Sequence, residues 1–384
     1  MDQGNVGGPL HCAGICVEDE ERMQGWWKSA ATAAAALLVV CAPAAEVRRE
    51  GTVPARGVRT VRITAAGAVT IRGAETANVA WTAISRAGDG RVESRRTAQA
   101  LSLAFPDAEV TVTVPRDVRL CWVRTTAGSV QAWDLGGAVE VTSDGGQLGL
   151  DRISGPVTAR TVGGAIHIGN VASDARCFTG AGGIRAERIG GRATLETAGG
   201  EISVQEARGA LAASSAGGNI EIARADSSIS ARTSGGLIRI GQAAGPVIAD
   251  TGGGAIQIAA SGGAVCQASR GGIQLKNVAG MVRAISGSGD ILAELLAGAR
   301  LQNSQLSTNS GDITVLIPAS LALTVMARSV VNGGVGRIVS DFPEIRTSAP
   351  GGRAETAEGS LNGGGPVLQV VASGGAVYLR RRQQ

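Results

Sequence analysis

Thr161-Val162-Gly163-Gly164-Ala165-Ile166-His167-Ile168 decides the fold of this chain, because it returns eighteen residues later. It comes back as Thr179-Gly180-Ala181-Gly182-Gly183-Ile184-Arg185-Ala186, and again as Thr197-Ala198-Gly199-Gly200-Glu201-Ile202-Ser203-Val204. Stepping by eighteen from Gly128 meets Gly146, Gly164, Gly182, Gly200, Gly218, Gly236, Gly254 and Gly272. The chain has 58 glycines in 384 residues, so nine in register has a chance on the order of 10⁻⁸ and marks a structural repeat. Three residues before each glycine stands a hydroxyl: Thr125, Ser143, Thr161, Thr179, Thr197, Ser215, Thr233, Thr251 and Ser269.

Apolar residues keep the same period. Two residues after the glycine come Val130, Leu148, Ile166, Ile184, Ile202, Ile220, Ile238 and Ile256, and two further on Ala132, Leu150, Ile168, Ala186, Val204, Ile222, Ile240 and Ile258. That alternation is a strand with one buried face. A second strand follows, carried by Val139, Val157, Ala175, Ala193, Leu211, Ile229 and Val247. Each coil therefore reads strand, turn, strand, corner. Equivalent residues stack about 4.8 Å apart, the spacing of neighbouring strands. A single coil cannot bury its apolar edge, but a stack can. The corner glycine either takes positive φ or lets the next coil approach, and the hydroxyls are expected to bond corner backbone groups.

The reading is an all-β chain. It is a single-stranded β-solenoid, a parallel β-helix expected to be right-handed, with about 18 residues per coil. The regular array covers 121–283, with a strand-rich end over 45–120 and irregular coils and a cap over 284–384. Within the first end, Leu101 to Phe105 and Glu109 to Val114 read as a hairpin around Pro106-Asp107-Ala108. Near Gly272 the period slips, since Ile273 and Leu275 come one residue early. Val315 to Pro318 and Leu321 to Ala327 read as a strand pair, and the Pro- and Gly-rich stretch from Phe342 to Gly365 as a loop across the end of the rod.

The first 44 residues look separate from the fold. Trp26-Trp27-Lys28, the apolar run from Ala30 to Ala42 and Ala42-Pro43-Ala44 have the pattern of a secretory signal peptide over 23–44. The run is short of the ~20 residues of a membrane span. Met23 stands where such a peptide should start, so residues 1–22 are read as a mis-assigned start or an unstructured lead-in. A lipid anchor at Cys41 is not expected, because Val40 stands where a small residue is wanted. The expected location is outside the cytoplasm, in the periplasm or on the cell surface, with no transmembrane span in the mature chain.

Composition narrows the function. Aromatics are 2% of the residues, and 36 basic residues face 32 acidic ones for a net charge of +4. The signs are interspersed, without the basic clusters and stacking aromatics of a nucleic-acid surface. The basic run Arg380-Arg381-Arg382 reads as a solvated tail. The coils lack the Asp and second Gly of the calcium-binding nonapeptide repeat, so no calcium ladder is expected. One outward ladder is Gly149, His167, Arg185, Ser203, Glu221, Arg239, Gln257; another is Thr142, Arg160, Phe178, Glu196, Ser214, Arg232, Asp250. Their charges alternate, as on a solvated strand face, and no catalytic groove is expected there. His167, placed outward and alone, makes neither a metal site nor a triad. Cys121, Cys177 and Cys266 fall on or beside inward ladders about three and five coils apart, too far for a disulfide. Trp122 and Trp133 fall outward near the start of the rod and are candidates for a surface contact. No cofactor is expected.

The Thr-x-Gly-Gly-x-Ile-x-Ile units, the Ser-Gly-Asp-Ile variants at Gly289 and Gly311, and Leu361-Asn362-Gly363-Gly364-Gly365-Pro366 running into Ser373-Gly374-Gly375 together resemble one group. This is the bacterial β-strand-repeat family of unknown function labelled "putative adhesin". The resemblance spans roughly Glu46 to Arg382 and implies an exported β-solenoid, with no catalytic residues to carry over. The resulting expectation is a non-enzymatic cell-envelope protein that binds a surface glycan or an envelope protein, or acts as a scaffold. A polysaccharide-active enzyme on a parallel β-helix and an envelope-stress or signalling accessory domain are the alternatives.

Overall fold

The structure, a computed structural model, describes residues 46–86, 90–298, 300–331, 336–349 and 354–382. The signal peptide expected over 23–44 and residues 1–22 before it lie outside them. The chain from Glu46 onward is an all-β, parallel β-solenoid. Each regular coil lays one strand in each of two facing sheets. Ile166–Val171 lies in the first sheet, Ala175–Thr179 in the second, and Ile184–Ile189 back in the first. Pairing is parallel and in register by eighteen: Ile166 stands opposite Ile184, and Ala175 opposite Ala193. Like residues therefore stack on like. The ladder from Val130 through Leu148, Ile166 and onward to Ile256 is at most 1% exposed at every rung. Each such side chain contributes roughly 1.5–3 kcal/mol by leaving water.

The first-sheet strands carry a further inward row. After the pair at 166 and 168 the next inward residue is Val171, three positions on rather than two. The same 2-then-3 spacing gives Ile153, Ile189, Ala207 and Ala225. Two consecutive residues face out before the chain turns back in, as Glu187 and Arg188 do. Asp134 and Arg152, at this kink in their coils, have left-handed φ of 61° and 50°.

The hydroxyls form an internal ladder that runs unbroken from Thr125 to Thr251. Thr179 Oγ1 donates to the Gly164 carbonyl at 2.7 Å and accepts from Gly182 N–H at 3.2 Å. The same two bonds recur from Ser143 to Thr251. Ser269 and Gly272 stand one residue off this ladder. The coil there has seventeen residues, so Ala268 lies opposite Thr251 and Ile273 opposite Ile256. Gly271 takes the corner against Gly254, and Ser269 is exposed. The ladder resumes at Ser286, which donates to Gly271, and at Thr308, which donates to Gly289.

The ends differ from the expectation. Ala100–Phe105 and Glu109–Pro115 are not a hairpin: they lie in opposite sheets, as the two strands of a coil. Pro106-Asp107-Ala108 is a corner. The coil of Thr60–Ala65 and Val69–Ala74 is sandwiched between that coil and the one at Leu120–Thr125 and Val130–Leu135. The other end repeats this arrangement. Val367–Ala372 lies between Ser304–Thr308 and Leu323–Val330, and Val377–Arg381 between Ile313–Ile317 and Ile338–Ser340. Ile313–Ile317 and Leu323–Val330 are thus in opposite sheets and not a pair. The stretch read as a loop contains Arg346–Ser348 and Ala354–Leu361, antiparallel strands that finish the second sheet. The C-terminal arginines are not a free tail. Arg380 pairs with Asp341 at 2.8 Å, Arg381 lies over the Phe342 ring, and Arg382 bonds Glu294, Asn277 and the Leu295 carbonyl.

Candidate functional site

Corner geometry sets what the outer faces can carry. Apart from Ser261, which takes the inward place of Ala243 in the kinked row, and Ser304, the inward rows are filled by apolar side chains or the hydroxyl ladder, so chemistry is left to the outward rows. On the second sheet one row runs Phe178, Glu196, Ser214, Arg232, Asp250, each opposite the next on adjacent parallel strands. A cavity of ≈ 610 Å³ opens along it. The reason is local. The strand Leu211–Ser215 is Leu-Ala-Ala-Ser-Ser, so its outward residues are only Ala212 and Ser214. The strands on either side carry larger groups. Phe178 walls one side and Arg232 the other, with Ala198 and Ala216 in the lining.

Two features characterise this trough. Phe178 is 44% exposed although it is an aromatic ring in a chain with few of them. The side chains of Glu196, Arg232 and Asp250 have no hydrogen-bond or ion-pair partner among the described residues. Arg232 and Asp250 do not pair although they sit opposite each other on neighbouring strands. Along the kinked edge of the first sheet the charges are instead consumed by one another. Arg152 pairs with Asp134 at 2.7 Å, Arg188 with Glu206 at 3.0 Å, and Arg224 with Asp226 at 3.1 Å. The arginine bonds hold the carboxyls of Asp134 and Glu206 below the usual carboxylate range.

The other candidates are placed as follows. His167 faces outward on the first sheet, and Glu187 Oε1 stands 3.7 Å from its Nε2, so it has one carboxylate neighbour. Trp122 lies in the second sheet between Arg62 and Glu140, and Trp133 in the first between Arg72 and Asp151. Both are half-buried and on opposite faces, so they do not form one platform. Trp81 packs edge-on against Phe105, with ring centroids 5.6 Å apart. Cys121, Cys177 and Cys266 are free and buried, and burial pushes each thiol up to about 12. Among the described residues no group of three or more His, Cys, Asp or Glu could hold a metal. No described helix is long and apolar enough to cross a membrane.

The trough row was visible in the sequence as an outward ladder, but its alternating charge reads as a plain solvated face. The missed signal is the single coil of small outward residues between larger ones, which makes a depression only once the strands are stacked.

No known family model matches the chain. No curated protein matches it either. A solved structure described as a "putative cell adhesion protein" from Clostridium sporogenes aligns over 88% of this chain and 100% of that one. The identity is 8% and the TM-score 0.18, a likeness too low to carry an argument.

Proposed function

We propose that this chain is a non-catalytic, adhesin-like binding protein of the cell envelope, and that the second-sheet trough is its binding face. The carrying observation is the set of unpaired side chains Glu196, Arg232 and Asp250 beside the exposed Phe178. Fixed strands hold these groups in a row, so a ligand meets hydrogen-bonding partners already in place, which lowers the entropy lost on binding. The leader-like segment at 23–44 supports export to the periplasm or cell surface, as does the resemblance of the repeat units to exported β-strand-repeat proteins.

Catalysis by paired carboxylates fits this geometry poorly. Glu196 and Asp250 stand three strand spacings apart, about 14 Å between backbones. Glycoside hydrolysis uses carboxyl groups about 5–9.5 Å apart. Ser214 and Arg232 occupy the strands between them. The test is a screen of the full chain against arrayed glycans and purified envelope proteins. The proposal expects reproducible binding that falls in Arg232→Ala. A uniformly null screen, or turnover of an offered polysaccharide, would remove it.

A further inference from the structure

We infer that the trough takes a neutral oligosaccharide, laid along the stack with one sugar face against Phe178. This rests on the binding role proposed above for the same trough. Four considerations select the ligand class.

The first is the shape. The row from Phe178 to Asp250 covers four strand spacings, about 19 Å, and the cavity is an open furrow. A furrow suits a chain of repeated units better than a small compact molecule, which is usually held in an enclosing pocket.

The second is the inventory of side chains. An aromatic ring offers an apolar face with a π-system, which fits the C–H face of a sugar ring. The carboxylates of Glu196 and Asp250 accept two hydrogen bonds each from neighbouring hydroxyls, and the planar Arg232 fork donates to two oxygens at once. Ser214 on the floor can donate or accept. The set therefore offers acceptors and donors in alternation, as a polyhydroxyl chain does.

The third is charge. The furrow is lined by two carboxylates and one guanidinium, and the outward Arg160 and Arg176 stand beside Phe178, so the face as a whole offers an anion no net attraction. Burying a further anion between unpaired carboxylates is unfavourable, because like charges a few ångströms apart repel. A sulfated, phosphorylated or uronic-acid-rich chain is disfavoured for that reason.

The fourth concerns peptides. A peptide that binds by strand addition needs a free sheet edge. The five strands under the trough are each paired on both sides. An amphipathic helix needs several apolar anchors at helical spacing, whereas Phe178 is the one large apolar side chain lining the trough.

The experiment titrates the full chain by calorimetry with tetrasaccharides of β-1,4-linked glucose, α-1,4-linked glucose and β-1,4-linked N-acetylglucosamine, and with a heparin tetrasaccharide as the anionic arm. At least one neutral tetrasaccharide is expected to bind with a Kd of about 1 mM or tighter, a range ordinary for weak recognition. Phe178→Ala and Ser214→Trp, the second filling the furrow, are each expected to weaken it about tenfold or more. Arg185→Ala on the opposite sheet is expected to leave it unchanged. Both trough substitutions are at outward positions, and an unchanged melting temperature verifies that the fold is intact. Absence of binding by all three neutral probes, a preference for heparin, or binding indifferent to both trough variants overturns the inference. If the chain still captures an envelope protein through Arg232 in that event, the ligand class falls while the binding role stands.

Discussion

Thr179 shows what one residue does in this stack. Its hydroxyl is wholly buried, donates to the carbonyl of the coil before and accepts from its own corner amide. Thr179→Val keeps the shape and strands both partners. Its expected cost is about 1–3 kcal/mol, the penalty of buried groups left unbonded, read from chemical denaturation. The converse test lies at the gap. Ala268 is buried opposite Thr251, and Gly271 and Gly254 stand where the ladder partners would be. Ala268→Ser is expected to add a rung and raise stability by about 0.5–1.5 kcal/mol. The three buried thiols give a pH signature. Each is raised from 9.0 to about 12 in the fold, so the folded state keeps its proton while the unfolded chain loses it. Their contribution is complete below pH 9 and is lost as pH climbs from about 9 towards 12, by about 1.4 kcal/mol per unit for each thiol. Denaturation midpoints taken across that range should fall, and the triple variant Cys121→Ala, Cys177→Ala, Cys266→Ala should fall less steeply.

At the scale of the element, the corner shows why glycine recurs in pairs. A Cβ on Gly200 would be driven into the Gly182 carbonyl of the coil below, whereas one on Gly199 would stand 3.7 Å from the nearest atom. None of the regular corner glycines Gly128 to Gly254 has positive φ, so close approach is what requires them. Gly200→Ala should therefore cost about 3 kcal/mol, the upper part of the overpacking range, and Gly199→Ala almost nothing. Thermal melts of the two variants decide this. The same element marks the limit of what the sequence makes legible. Period, strands and inward rows follow from Ile166, Ile184 and Ile202 recurring at eighteen, because a strand buries every second residue whatever its neighbours. The kinked inward row at Val171 and Ile189 was not legible, because its three-residue step mimics the end of a strand. The trough was not legible either. Depth on a sheet face depends on residues eighteen positions apart in the chain, and a linear scan of Glu196, Ser214 and Arg232 sees only alternating charge.

At the scale of the whole molecule, the two ends of the array share one device. The first coil in sequence, at Thr60–Ala74, and the last, at Val367–Arg381, are each flanked on both sides by coils from further inside the chain. A terminal coil with one neighbour would fray; these two have the packing of internal coils. The outermost strands of the second sheet are polar and exposed: Glu93–Arg96 and Arg346–Ser348 are solvent-facing throughout. Charge on an edge strand discourages pairing with another copy. The hairpin and loop expected at these ends failed for one reason. Local turn signals say that the chain reverses, but not whether it does so within one sheet or across to the other. Truncation after Gly365 strips the tucked coil and bares Ser304–Thr308 and Ile313–Ile317 in both sheets. The shortened chain is expected to associate at concentrations where the full chain stays monodisperse, as followed by light scattering.

Residues eighteen apart in the chain lie one strand spacing apart in the regular coils. Thr194 and Ala212 face outward and are register partners on adjacent parallel strands of the second sheet, while Thr194 and Ser230 are separated by two spacings, about 9.6 Å. A disulfide spans Cα atoms up to about 7 Å apart. Under mild oxidation, the double variant Thr194→Cys/Ala212→Cys should close an intrachain disulfide, seen by mass spectrometry, without loss of the β-sheet circular dichroism, and Thr194→Cys/Ser230→Cys should stay reduced. Closure of the second pair and not the first would contradict the eighteen-residue coil.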